Sequence, residues 1–148
     1  MKRTILFVFL FSLSACFTMV RGQEVGYLMY VSENKPCETG SFRNHYAYEF
    51  RTFPDFATAK AYYENFESRN RTDPSHFFGV DDVRKGQYYA VILITQTFSN
   101  NCQSGQQFRK AELHTSTISI ADAKQKAEKW YRGKAGVLNI KYLAEGRI

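Results

Sequence analysis

Hydrophobic and polar positions follow two periods along this chain, and the strongest signal lies at residues 88–98 (YYAVILITQTF). Tyr89, Val91 and Leu93 fall on one side of an extended strand, and Ala90, Ile92 and Ile94 on the other. An unbroken apolar run rich in β-branched residues predicts a strand covered on both faces. Residues 26–32 (GYLMYVS) predict a first strand, and Asn34, Pro36 and Gly40 place a turn after it. From 42 to 53, Tyr46, Tyr48 and Phe50 alternate with His45, Glu49 and Arg51, which predicts a half-buried strand with its aromatic side toward the helices. Asp55 is placed to cap a helix in which Phe56, Ala59, Tyr63 and Phe66 recur at helical spacing. Residues 70–85, with Pro74, Gly79 and the pair Asp81 and Asp82, form a long polar connection. After 88–98 the order repeats: a strand over 108–118, then Ser119 and Asp122 as a capping box. A helix with Ile120, Ala123, Ala127 and Trp130 on one face follows, then Gly133 and Gly136 and a last strand over 137–143.

The repetition reaches individual residues. Cys37, Gly40, Phe42 and Arg43 match Cys102, Gly105, Phe108 and Arg109, with one extra residue in the second loop. The caps Asp55 and Ser119 lie 64 positions apart, and Phe56/Ile120, Ala59/Ala123 and Phe66/Trp130 keep that offset. Helical spacing alone arises easily by chance; cysteine, glycine and Phe-Arg in register do not. The chain therefore reads as a duplicated ββα unit plus a closing strand, ββαββαβ. That order predicts an α+β fold: a mostly antiparallel sheet with two helices on one face. The outline resembles the ferredoxin-like class and, in shape only, the small βαββαβ peptidoglycan-binding repeats of bacterial envelopes.

Residues 1–22 have the layout of a secretory signal peptide: Lys2 and Arg3, then the apolar run ILFVFLF, then small residues. Cleavage after Gly22 leaves Gln23 first and a single domain over 23–148. The alternative is a lipobox at residues 13–16, with Cys16 lipidated and the chain anchored in an outer membrane. Losing Lys2, Arg3 and Arg21 leaves 17 basic against 14 acidic groups, so the net charge falls from +6 to +3. Cys37 and Cys102 remain, and an even count in an exported chain predicts a disulfide between them. A single simple sheet opposes that pairing. It sets the two hairpin loops at opposite ends of strands about 23 Å long at ~3.3 Å per residue, far beyond disulfide reach.

In that sheet the open face of the second strand carries His45, Glu49 and Arg51, and the fourth strand adds Lys110, Glu112 and His114. Antiparallel neighbours would set Glu49 beside His114, a carboxylate–imidazole pair able to act as a general base. Solvated cross-strand ion pairs are the plainer reading. Arg43 and Arg109 flank the matched cysteine loops and offer a two-pronged binding edge. Asp81 and Asp82 with His76 lack calcium-loop spacing, and neither CxxC nor HxxxH occurs, so no metal or cofactor is expected. No nucleotide-cradling glycine loop and no nucleophile elbow is present. Lys124, Lys126, Lys129, Arg132 and Lys134 read as a solvated helix face.

These features point to a small, exported, non-catalytic binding module, secreted or periplasmic. Its partner would be another protein or an envelope polymer; export and the lack of an RNP-like segment argue against nucleic acid. The alternatives are a small hydrolase-like enzyme using Glu49 and His114, or a lipid-anchored envelope protein.

Overall fold

The computed structural model describes residues 24–37, 40–97 and 106–148. Eight elements follow one another: β1 (Val25–Cys37), β2 (Gly40–Phe53), α1 (Phe56–Asn70), β3 (Phe77–Arg84), β4 (Tyr88–Thr97), β5 (Gln107–Ser116), α2 (Ile120–Tyr131) and β6 (Val137–Arg147). The expected caps are in place: the Asp55 carboxylate accepts from the Thr58 N–H at 2.7 Å, and the Ser119 hydroxyl accepts from the Asp122 N–H at 3.1 Å. Each satisfies an amide that the first helical turn leaves without a partner.

The chain adopts the antiparallel α+β architecture predicted from the duplication, distributed over two sheets. The first has strand order β2-β1-β3 and the second β5-β4-β6, every pairing antiparallel. The extra strand is β3, which lies in the stretch expected to be a polar connection. It completes the first unit as β6 completes the second, so the repeat is ββαβ twice.

Each sheet buries both faces of its central strand. Val25, Tyr27, Met29 and Val31 of β1 pack on Ala59 and Phe66 of α1. Ile92 and Ile94 of β4 pack with Ala127 and Tyr131 of α2. The other faces meet: Leu28, Tyr30, Tyr48 and Phe50 of the first sheet share a core with Tyr89, Val91, Leu93, Ala111 and Leu113 of the second. The layers run helix, sheet, sheet, helix, and each helix covers the outer face of its own sheet. The two-faced apolar pattern at 88–98 thus has one face for a helix and one for a second sheet.

This arrangement reverses the expected orientation of β2. Tyr48 and Phe50 face the opposite sheet, while Glu49 faces α1. A bulge between Val31 and Ser32 sets Ala47 against Val31 and His45 against Ser32, leaving Tyr46 as the extra residue. The bulge restores His45 to the inner face and turns Tyr46 outward. The second helix is also rotated from its expected face: Tyr131 is buried and Trp130 is 61% exposed, its ring lying under the Lys134 ammonium at 4.1 Å.

Gly79 of β3 is fixed by contact. A Cβ there would lie 2.4 Å from the Tyr30 ring directly opposite. Gly79→Ala is expected to push that ring out of place and cost about 1–3 kcal/mol, as overpacking does; urea denaturation measures it, and an unchanged midpoint would show that the ring has room.

Candidate functional site

The two halves meet where β5 lies against β2. At one end the Phe42 and Phe108 rings touch at 5.6 Å between centroids. Farther along, side chains of β2 cap the free edge of β5. Asn44 Oδ1 accepts from the Arg109 N–H at 2.8 Å, and His45 Nδ1 accepts from the Ala111 N–H at 3.1 Å. These contacts tie one sheet to the other without a continuous ladder.

His45 is 4% exposed and its ring stacks on Tyr30 at 4.3 Å, tilted by 5°. Burial, with smaller help from the Lys110 and Arg43 charges, lowers its pKa to about 4 against the pull of Glu112. The neutral ring accepts at Nδ1, so its proton is on Nε2, which has no partner among the described residues. Tyr30 is itself held between Gly79 and His45.

Beside this stack, between β5 and the inner face of the first sheet, runs a cleft of about 760 Å³. Tyr30, His45 and Asp81 line one wall, and Lys110, Leu113 and Thr115 the other. Glu112 is held by three neighbours: Lys110 Nζ at 2.6 Å, His114 Nε2 at 3.2 Å and the Tyr131 hydroxyl. Burial works to raise its pKa, but those hydrogen bonds outweigh it and hold the carboxylate at about 2. The same contact keeps the Tyr131 hydroxyl well above its usual range, burial contributing most and the bond to Glu112 next.

Asp81 differs from Glu112. It makes no hydrogen bond and no ion pair among the described residues, and its pKa is raised by partial desolvation, then by Glu112 and Asp82. Arg43, on β2 of the same sheet, has no carboxylate partner among the described residues; its guanidinium lies over the Phe77 ring at 4.2 Å. Asp82 is paired with Arg84 at 2.9 Å.

The structure does not bring Glu49 and His114 together. Glu49 sits on the α1 side of β2, accepting from the Tyr62 hydroxyl at 2.8 Å with Arg51 at 3.8 Å. His114 sits with Glu112 on β5 in the other sheet. The expectation placed both on one open sheet face; instead each lies on the helix side of its own sheet, Glu49 against Tyr62 of α1 and His114 with Glu112, which Tyr131 of α2 also holds. His45 goes into the joint, whereas Arg51 stays outside over the Tyr62 ring at 4.6 Å. Arg43 lines the cleft, and Arg109 borders a smaller hollow with Asn44 and His45 behind the joint. His76 contacts the Tyr46 hydroxyl at 2.8 Å rather than Asp81 or Asp82. No three His, Cys, Asp or Glu side chains converge on a metal-sized site among the described residues. Cys37 ends β1; Cys16 and Cys102 lie outside the described residues.

Tyr30 is the site residue that sequence reasoning passed over, and Asp81 enters that reasoning only as a candidate metal ligand beside Asp82 and His76. Gly79 is their one signal, since a glycine inside a strand marks a close approach from a neighbour. No protein-family model, no characterised protein and no solved structure matches this chain.

Proposed function

We propose that the chain is a small exported binding module that holds its partner in the cleft between β5 and the first sheet, and that it is not an enzyme. The observation carrying this reading is that Asp81 on β3 and Arg43 on β2, neither in an ion pair among the described residues, line the cleft together with the Tyr30–His45 stack. The imidazole and the carboxylate that would make a paired acid–base site at the joint are already engaged. His45 is tied to a backbone amide, and Glu112 is saturated by three donors. A cleft between packed strands that carries an unpaired charge, with no free imidazole beside it among the described residues, suits recognition of an oppositely charged partner.

Export rests on the layout of residues 1–22, and mass spectrometry of the mature N-terminus separates Gln23 from an acylated Cys16. A Cys37–Cys102 disulfide belongs to the same reading. The Phe42–Phe108 contact, close in sequence to both cysteines, supports it.

The test is recovery of the partner from the native envelope or culture fluid by the mature protein. Asp81→Lys is expected to reduce recovery about tenfold or more, the effect of opposing a charge in a partly desolvated site. Gln125→Lys, on α2, and His114→Ala should leave it unchanged. Recovery indifferent to Asp81→Lys would dismiss the cleft, and loss of a measured turnover in His114→Ala would restore the enzyme.

A further inference from the structure

The wall of the cleft formed by β5 is a sheet edge, and that edge is only partly covered. In an antiparallel pair the N–H and C=O of alternate residues point away from the partner strand. On β5 the N–H groups of Arg109 and Ala111 point away from β4, because both are taken by side chains of β2. Leu113 and Thr115 share their parity, so their N–H and C=O groups also point away from β4. Both residues line the cleft, and neither N–H has a partner among the described residues. The Thr115 carbonyl accepts from Lys126 Nζ at 3.3 Å, which confirms the direction. Facing this edge across the cleft stands Asp81, a carboxylate without an ion pair.

Unpaired edges are normally blunted by charge, bulges or covering segments, because they template strand addition. Here Asn44 and His45 do that over the first half of β5, and beyond them Lys126 holds the Thr115 carbonyl while the Leu113 and Thr115 N–H groups stay open. We propose that the remaining edge at Leu113 and Thr115 takes an extended, basic peptide segment of a partner protein as an added strand, with a lysine or arginine side chain directed at Asp81. The mode is β-augmentation: backbone hydrogen bonds supply affinity, and alternate side chains supply specificity. The ammonium or guanidinium relieves the electrostatic strain at Asp81, and the opposite side chains pack toward Leu113. This inference rests on the cleft reading and adds the partner's chemistry to it.

The probe is a capped hexapeptide alternating lysine and valine, with a glutamate–valine version as control, titrated into the mature protein and followed by amide NMR and hydrogen exchange. Expected are slowed exchange at the Leu113 and Thr115 amides, unchanged protection at Arg109 and Ala111, and weak or absent response to the glutamate peptide. Asp81→Asn should weaken the lysine peptide about tenfold, or about 1.4 kcal/mol. That variant conserves shape and removes a charge that nothing in the fold pairs, so it tests recognition without threatening folding. Shifts around Asp81 with no slowing at Leu113 and Thr115 would overturn strand addition and leave the cleft standing as a charge-binding site. Slowed exchange that depends on protein concentration and needs no peptide would overturn it in favour of β5 pairing with a second copy. No response at any cleft residue to either peptide would remove both readings.

Discussion

Acidification from pH 7 to pH 5 is expected to destabilise the protein by about 2 kcal/mol through His45 alone, and by about 3 kcal/mol once pH 4 is reached. The free imidazole titrates near 6.5, and in the folded chain it does so at about 4. Between those values the unfolded chain carries a proton that the native state refuses, so stability falls as pH falls and is fully recovered above about 6.5. The structural cause is local. Protonated Nδ1 would be a donor pointed at the Ala111 N–H, itself a donor, and the contact tying β2 to β5 would be lost.

Every element around the ring contributes charge or shielding. Arg43 on β2 and Lys110 on β5 oppose protonation, Glu112 on β5 favours it, and Tyr30 on β1 covers the ring face. Two carboxyls act at lower pH with opposite sign. Glu112, held at about 2, gives up stability as pH drops below about 4.5, while Asp81, raised, gives some back. The window from 7 to 5 lies above Glu112. Across it the native protein should lose about 2 kcal/mol more stability than His45→Gln, which keeps an acceptor for Ala111 but cannot charge. An equal loss in both would assign it to another group.

His45 also shows how much of this molecule is legible from its sequence. Its alternation with Tyr46 and Tyr48 was readable, and strict period two put it on the face opposite Tyr48. The bulge at Ser32 inverts that relation, and no local residue announces it. One register slip moves a side chain from water to core. The helices, their caps, the two hairpins and the duplication were readable because each depends on residues close in sequence. The second sheet was not, although the two-faced apolar run at 88–98 states that both sides of β4 are covered. It does not say by what, and a helix and another sheet present the same requirement. β3 was hidden because Asp81, Asp82 and Gly79 are poor strand formers in isolation. They belong to an edge strand, where acidic side chains are tolerated and the glycine makes room for Tyr30.

Reducing the proposed Cys37–Cys102 bond is expected to cost about 4 kcal/mol, the largest single effect in the chain. The two residues are 65 positions apart. Closing so long a loop removes much of the entropy of the unfolded state, and the cost of losing that constraint grows with the logarithm of loop length. For a domain of this size, whose total stability is of order 5–15 kcal/mol, the loss is a large fraction. The location adds to the consequence. The Phe42–Phe108 contact, the Asn44–Arg109 bond and the His45–Ala111 bond follow one another along the β2–β5 joint, beginning five residues from Cys37 and six from Cys102 in sequence. A covalent link there would hold the two ββαβ units in register before those weaker contacts form. The urea midpoint should therefore drop in reductant, and a Cys37→Ser, Cys102→Ser double variant should reproduce the lowered midpoint and ignore reductant. Because the joint also positions His45, the reduced protein should lose stability at a higher pH than the oxidised one. Two thiols titrating in denaturant without reductant would refute the bond, and the cohesion of the halves would then rest on the three contacts of the joint and the core between the sheets.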